Sequence, residues 1–510
     1  MTHRLIAIMD IGSTAIRLLV AEIHEDRTWK TLEQAAKTLP LGRDAFSRQR
    51  ISAKTISTAV QIIKGYLEIC RGWGIKPPQV TAIGTSALRE AVNRDTVLER
   101  IRVRTGILVS VVDGIEENRL TYAAVEYALA PERKQLGRFN SLIIEAGGGS
   151  TELMLLKRNR MVAAHSLKIG TIRTKAQLKS GLIDQSILSR FINENIAAAK
   201  TRLDTELELK KVRFFVAVGG DVRVAAEHVG TKAGEYYSVI PKERFLSFLE
   251  EIESMTPETV VAKLHIPYNM AELFANSLVM YRLFFEGTSA EEIYVPTLSI
   301  REGVILTRIF ESDENGREQL KEQMLASALS VGRKYLFDEE HALYVARIAL
   351  SVFDFLQDQY KMPQKWRIIL EIASILHDIG AFIHTAGHHK HGQYIIEHTE
   401  LFGLSSEEVT LVANIVRHHR KKVPSSSNIS FYSLSAENRI LVLKLTGILR
   451  VADALDRSHA QRIDKISLTS DDDCIYIESG YKDDVSIEKS SLKAKSDLFE
   501  EVFGLGIRLV

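Results

Sequence analysis

Ile8-Met9-Asp10-Ile11-Gly12-Ser13-Thr14-Ala15-Ile16-Arg17-Leu18 has a counterpart much further along the chain, Ile144-Glu145-Ala146-Gly147-Gly148-Gly149-Ser150-Thr151-Glu152-Leu153-Met154-Leu155. Both read apolar strand, acid, glycine turn, Ser-Thr, strand. Aliphatic and β-branched residues flanking a glycine turn predict a hairpin, because glycine adopts the positive φ that a tight turn requires. Backbone N–H groups converging at such a tip bind anionic oxygens without side-chain charge, and the hydroxyls of Ser13, Thr14, Ser150 and Thr151 add donors. Asp10 and Glu145 close the incoming strands, where a carboxylate can hold a magnesium ion beside phosphate, often through water. One glycine turn beside one acid is commonplace. The same residue types in the same order, twice, predict duplicated lobes facing across a cleft.

Bulk properties frame this reading. A chain of 510 residues, 45% hydrophobic, exceeds what one core can organise, so three or four domains are expected. The formal charge of +1 provides no global basic field, and any polyanion must be held by local clusters and backbone donors. Cys70 and Cys474 are the only cysteines, with no Cys-x-x-Cys, which fits a reducing compartment and argues against a disulfide framework or thiolate zinc. The apolar run Leu5–Met9 ends at Asp10, too short for a signal peptide or a membrane span. A cytoplasmic protein without a membrane or nucleic-acid role is expected.

The paired hairpins resemble the actin, hexokinase and Hsp70 ATPase superfamily, whose two lobes each contribute a phosphate loop. Thr85-Ser86-Ala87-Leu88-Arg89-Glu90-Ala91, Gly114-Ile115-Glu116-Glu117-Asn118, Gly147-Gly148-Gly149-Ser150-Thr151-Glu152 and Gly219-Gly220 resemble more closely, in order and spacing, the exopolyphosphatase/guanosine pentaphosphate phosphatase (Ppx/GppA) family. That resemblance implies a phosphoanhydride hydrolase whose general base is Glu117, with Glu116 as the alternative. It implies phosphate binding by Gly12, Ser13, Thr14, Arg17, Arg89, Gly147, Gly148, Gly149, Ser150, Thr151, Gly219 and Gly220, magnesium at Asp10, Glu145 and Glu152, and a homodimer. Gly170-Thr171 reads as a further cleft loop and Arg223 as a second clamp.

The residues themselves support parts of this assignment. Val109–Val112 reads as a short strand leading into a helix from about Glu116 to Leu129, which places both acids in its first turn. After the strand Val80–Ile83, Thr85 and Ser86 are suited to cap a helix, leaving the Arg89 guanidinium to clamp phosphate. Two departures from the family pattern stand out: Glu145 where Asp is usual, and Asp221 where Thr is usual. The first adds a methylene at a site where magnesium demands tight geometry, and the second puts a carboxylate near phosphate.

From about Gln319 the apolar residues recur at helical spacing, predicting an all-α domain. It carries His341, His377-Asp378, His388, His389, His391, His398, His418, His419 and Asp453. The order His, His-Asp, Asp resembles the HD phosphohydrolase superfamily, which implies divalent-ion ligands at His341, His377, Asp378 and Asp453, with His391 and His418 for a second ion, Mn2+ or another divalent metal. Gly387-His388-His389-Lys390-His391 and His418-His419-Arg420-Lys421-Lys422 make a local basic surface along which polyphosphate could run. The tail, with strands near Ile463–Leu468 and Cys474–Ile477 and a helix from about Leu492 to Phe503, reads as a small α+β domain.

The expected architecture is therefore an α/β, actin-like (RNase H-like) pair of lobes at 1–124 and 125–310, an all-α HD-like domain at 311–460 and a small α+β domain at 461–510. The leading expectation for function is an exopolyphosphatase removing terminal orthophosphate from polyphosphate. The alternatives are a guanosine pentaphosphate (or tetraphosphate-recognising) phosphohydrolase and a non-catalytic regulator that binds polyphosphate or an alarmone. A sugar or acid kinase of the same superfamily would need an adenosine pocket and a hydroxyl-activating Asp.

Overall fold

The computed structural model describes residues 4–26, 28–177, 185–206, 208–311, 314–420, 424, 428–481 and 484–510. The chain forms two compact units, Met1–Leu320 and Lys321–Val510.

In the first unit, β1 (Arg4–Ile11) and β2 (Ala15–Ile23) form the first hairpin, β3 (Trp29–Thr38) extends it, and β4 (Val80–Gly84) and β5 (Val109–Val111) follow on the other side. The sheet order is β3-β2-β1-β4-β5, antiparallel on one side of β1 and parallel on the other. The second sheet holds β6 (Asn140–Ala146), β7 (Thr151–Lys157), β8 (Arg160–Leu167), β9 (Val212–Val218), β10 (Thr231–Lys232), β11 (Tyr237–Pro241) and β12 (Glu292–Pro296). Its order is β10-β11-β12-β9-β6-β7-β8. Read as β8-β7-β6-β9-β12, it repeats the first sheet strand for strand and direction for direction. The sequence repeat is thus a topological repeat, giving the two-lobed actin-like fold.

Strand alternation decides where the acids point. Along β1, Ala7, Met9 and Ile11 enter the core beneath the first sheet, together with Ile56, Ile63 and Ile101. Ile6 and Ile8 face a second apolar layer with Val304, Ile305 and Ile309 of the helix Ile300–Glu311. Asp10 continues the Ile6–Ile8 row, and Arg17 is its cross-strand partner. In the other lobe, Leu142, Ile144, Leu153 and Leu155 enter the core, so Glu145 and Glu152, paired across β6 and β7, share the opposite face. The equivalent positions thus hold Asp–Arg in one lobe and Glu–Glu in the other.

The two hairpin tips touch. A Cβ on Gly149 would lie 2.4 Å from both the Phe46 ring and the Ser86 hydroxyl, and one on Gly148 would meet Thr14 at 3.3 Å. Behind the second tip, a Cβ on Gly170 would fall 2.6 Å from backbone atoms of Gly148 and Gly149. Backbone cannot yield as a side chain can, so this approach excludes every residue but glycine.

The second unit is built on the helices Glu339–Leu356, Lys365–Leu376, His388–Glu397, Ser406–His418 and Ala436–Ala454. A three-stranded sheet follows, β13 (Ile463–Ser470), β14 (Cys474–Tyr481) and β15 (Gly506–Leu509), in that order. The single helix expected over Leu492–Phe503 is two, Ser486–Lys495 and Asp497–Phe503. Ser496 stands between them and donates its hydroxyl to Glu500. β15, four residues long, pairs parallel with β14, and so short a run carries no strand pattern of its own. Among the described residues no helix is long and apolar enough to cross a membrane.

Replacing Gly170 by Ala is expected to cost about 1–3 kcal/mol through overpacking, read as a lowered thermal unfolding midpoint, whereas Gly220→Ala, whose Cβ meets nothing within 4 Å, is expected to stay near wild type.

Candidate active site

Each tip closes on one backbone bond: Gly12 N–H donates to Ala15 O (3.0 Å) and Gly147 N–H to Ser150 O (2.9 Å). The start of the helix Thr171–Gln177 then ties down the second tip. Thr171 N donates to Gly147 O, and Ile172 and Arg173 N donate to Gly148 O. The Arg173 Nε donates to Gly149 O at 2.5 Å. In a trans peptide the N–H opposes the preceding C=O, so the N–H groups of Gly148, Gly149 and Ser150 turn away from that helix. Gly170-Thr171 therefore supports the second hairpin from behind.

Glu116 and Glu117 are neighbours on the helix Gly114–Ala128, about 100° apart around its axis. Glu116 turns out and pairs with Arg119, both bonds at 2.7 Å. Glu117 turns in, is 8% exposed, and accepts a 2.6 Å bond from Arg89 Nη1. Burial pushes the Glu117 carboxyl up to about 7, against the opposing pull of Arg89 and with the help of Glu145 and Asp10. Glu152 is raised well above the carboxylate range by burial and by Glu117, while Ser166 donates to its Oε1 at 2.9 Å. These two carboxyls titrate as a pair.

Asp10 and Glu145 are both raised by burial. Asp10 is offset by Arg17, at 3.4 Å, and Arg301; Glu145 is offset by the Thr121 hydroxyl at 2.6 Å and by Arg223. Asp221 is also raised by burial, but Ser277, Arg17 and Arg223 favour its charge. The repulsion toward phosphate that this residue type suggests is thus balanced by two guanidinium groups. Asp10 Oδ1 is buried without a hydrogen-bond partner among the described residues. An orphaned carboxylate oxygen close to Glu145 fits a divalent cation held largely through water, the habit of magnesium.

Several expected side chains are otherwise engaged. Arg89 is not free to clamp phosphate through Nη1, which binds Glu117 and the Val112 carbonyl at 2.8 Å. Thr85 precedes the helix Ser86–Glu90 without a capping side-chain bond, and the Ser86 hydroxyl instead meets Ser13 Oγ at 3.0 Å. Thr151 donates its hydroxyl to Ile169 O at 2.7 Å, away from the tip. Ser150 hydrogen-bonds Glu152. Gly219 has φ 146°, a conformation that favours glycine, and Gly220 opens the helix Gly220–Val229. Arg223 donates to Thr297 O at 2.8 Å.

Sequence reasoning missed Tyr281, whose hydroxyl donates to Val218 O (2.6 Å) and accepts from Ala146 N (3.2 Å), tying the ends of β9 and β6 together under both glycine loops. It also missed Arg173, which pairs with Glu90 and lies 4.3 Å from the Phe46 ring. Neither carries a local signal, for each is an ordinary residue in a helix pattern.

In the second unit His341, His377 and Asp453 converge, as do Asp378, His388 and His419. The second set replaces His391 and His418. Consecutive residues at a helix end point about 100° apart, so only one of His418 and His419 can face Asp378. It is His419, while His418 packs edge-on against Phe431 at 6.0 Å. Lys421 and Lys422 lie outside the described residues.

Sequence comparison is decisive for the family. Residues 19–311 match the Ppx/GppA phosphatase family and residues 325–496 match its domain III. The chain belongs to the Ppx/GppA phosphatase family. It is accordingly a phosphoanhydride hydrolase by class. It is similar to the guanosine-5'-triphosphate,3'-diphosphate pyrophosphatase of Photobacterium profundum, with 24% identity over 468 residues covering 90% of this chain and 88% of that one. The protein of the same name from Aeromonas hydrophila is 22% identical over 501 residues, covering 96% and 95%. In fold it resembles the crystal structure of an exopolyphosphatase from Cytophaga hutchinsonii, with a TM-score of 0.54 and 20% identity over 60% of this chain and 98% of that one. The Aquifex aeolicus family member gives 0.50 and 21%, over 61% and 100%.

The raised Glu117 carboxyl has a measurable consequence. Its folded pKa exceeds the unfolded value, so its contribution to stability is complete below about 4.5 and is lost as pH rises through about 7. The unfolding free energy of Glu117→Gln relative to wild type is therefore expected to rise by about 2 kcal/mol between pH 5 and pH 8, measured by chemical denaturation at both pH values.

Proposed function

We propose that this chain, a cytoplasmic homodimer, removes terminal orthophosphate from inorganic polyphosphate, with Glu117 as the general base. The observation that carries this reading is Glu117 itself, a carboxyl buried in the cleft of the two hairpins, ion-paired to Arg89 and titrating near 7. A base poised at the working pH combines the ionised form it needs with useful proton affinity.

The terminal phosphoryl group is received by the backbone N–H groups of the two tips, which match the charge that spreads over its equatorial oxygens. Glu117 accepts the proton of the attacking water as the new O–P bond forms and the bridging P–O bond breaks. Orthophosphate departs, and the chain, one phosphate shorter, keeps a terminal phosphate for the next round. Arg89 holds Glu117 in place and limits the rise of its pKa. Burial and Glu117 raise the Glu152 carboxyl, which disfavours a second negative charge beside the anionic substrate. Asp10 and Glu145 would hold a magnesium ion, which when bound neutralises phosphate charge.

A second reading, hydrolysis of guanosine pentaphosphate, is favoured by the names of the similar curated proteins, which match across nearly the whole chain. Both substrates present the same terminal anhydride.

Orthophosphate release from long polyphosphate and from guanosine pentaphosphate, with magnesium, separates these readings. A kcat/KM that rises with polyphosphate length supports the first; preference for the nucleotide supports the second. Glu117→Gln is expected to lose 10²- to 10⁴-fold in kcat, with Glu116→Gln within a few-fold of wild type. For the wild type kcat/KM is expected to climb about tenfold per pH unit below about 7 and then level. Release undiminished in Glu117→Gln would move the chemistry elsewhere.

A further inference from the structure

The three glycine carbonyls at the tip of the second hairpin are held in two different ways. Gly147 O and Gly148 O accept from the backbone N–H groups of Thr171, Ile172 and Arg173, which any residue but proline would supply. Gly149 O accepts instead from a side chain, Arg173 Nε at 2.5 Å. The same peptide unit carries the Ser150 N–H at its other end, pointing the opposite way. Glycine restrains ψ less than any other residue, so the Gly149–Ser150 unit can turn over unless its carbonyl is held. Turned over, it would present a carbonyl oxygen to an anion in place of an N–H.

Arg173 is itself fixed from the other lobe. Its Nη2 pairs with Glu90 Oε1, and its guanidinium carbon lies 4.3 Å from the centroid of the Phe46 ring. Glu90 ends the helix Ser86–Glu90, and Phe46 belongs to the helix Leu41–Arg48, which packs on the helix Thr171–Gln177 that carries Arg173. Arg173 is 7% exposed, so its contacts are made largely away from water, where charge-assisted hydrogen bonds are strongest. One planar guanidinium thus serves a carbonyl, a carboxylate and an aromatic face together. The ammonium group of a lysine has no such fork.

We infer that Arg173 is a positioning residue for phosphoryl transfer: clamped by Glu90 and Phe46 of one lobe, it holds the Gly149 carbonyl of the other so that the Ser150 N–H faces the phosphoryl oxygens. This inference rests on reading the two tips as the phosphate cradle. Glu90 acts here only through Arg173. Neighbouring residues of one short helix therefore serve the two halves of the reaction, Arg89 holding the base and Glu90 the cradle. The direction of a donor in one lobe is set by side chains of the other, and a donor fixed beforehand needs no reorganisation as charge builds on the phosphoryl group.

Orthophosphate release from long-chain polyphosphate, with magnesium, reads the inference in turnover. Arg173→Ala is expected to lose about 10²- to 10³-fold in kcat/KM, the loss that follows removal of one oxyanion donor, with KM raised no more than about tenfold. Its pH limb near 7 is expected to stay in place, because Glu117 keeps Arg89. Glu90→Ala is expected to lose about tenfold, and the double variant Arg173→Ala/Glu90→Ala no more than Arg173→Ala alone, since the two side chains act as one unit. Arg173→Lys is expected to remain at least about tenfold below wild type, for a lysine keeps the charge without the fork.

A second readout needs no turnover. Tripolyphosphate binding to full-length Glu117→Gln, followed by isothermal titration calorimetry, is expected to weaken about three- to tenfold when Arg173→Ala is added. If Glu117→Gln releases orthophosphate as fast as wild type, the general-base reading falls and this titration alone decides the inference. If Glu117→Gln binds no tripolyphosphate, the cradle falls and the inference with it. Far-UV circular dichroism and thermal unfolding report whether each variant is folded, and Arg173→Lys takes the place of Arg173→Ala should that variant unfold. Unchanged tripolyphosphate affinity, additive losses in the double variant, a displaced pH limb or full activity in Arg173→Lys each overturn the inference.

Discussion

Burial of like charge at the ends of two hairpins is the constraint on which the first unit depends. Asp10, Glu117, Glu145 and Glu152 sit where water is largely excluded, and each has its pKa raised by that burial. A site so arranged is costly in the empty protein. Arg17, Arg89, Arg223 and Arg301 limit the cost, and one carboxyl is left near neutrality, which is the property a general base needs. The same field that raises Glu117 makes a cation welcome at Asp10.

Glycine makes this burial possible. The tips approach until no side chain fits at Gly149 or Gly170, and only then do Ser86 and Thr14 of one lobe meet the backbone of the other. Tyr281 keeps the two loops of the second lobe in register from beneath. The cradle is thus held by backbone contacts on one side and a single buried hydroxyl on the other. Rigid donors of this kind need no reorganisation when an anion arrives.

The second unit meets the opposite problem. Its buried groups are imidazoles, and burial disfavours their charge: His377 is driven down to about 4. Burial alone would raise Asp378, yet His377, His388 and His419 hold it well below the carboxylate range. His341 differs: burial opposes its charge, but Asp456 and Asp453 raise it. Helix ends supply the geometry, because a histidine at the last turn can donate Nδ1–H to a nearby carbonyl and present Nε2 outward.

Much of the fold was legible in the sequence because it rests on local pattern. The residues Ile8–Leu18 and Ile144–Leu155 encode two hairpins by alternation and glycine, and their repetition encodes two like lobes; helical spacing after Gln319 does the same for the second unit. The acids at the strand ends and the His-Asp pair were legible too, since their chemistry is visible in residue type. What tertiary structure alone decided is direction and partner. Only packing turns Glu117 inward and Glu116 outward, commits Arg89 to Glu117 and Thr151 to a carbonyl, and offsets Asp221 with Arg17 and Arg223. Only packing chooses His388 and His419 over His391 and His418. Sequence states which groups a segment offers, whereas their orientation, burial and neighbours depend on residues distant in the chain, and these set both pKa and coordination.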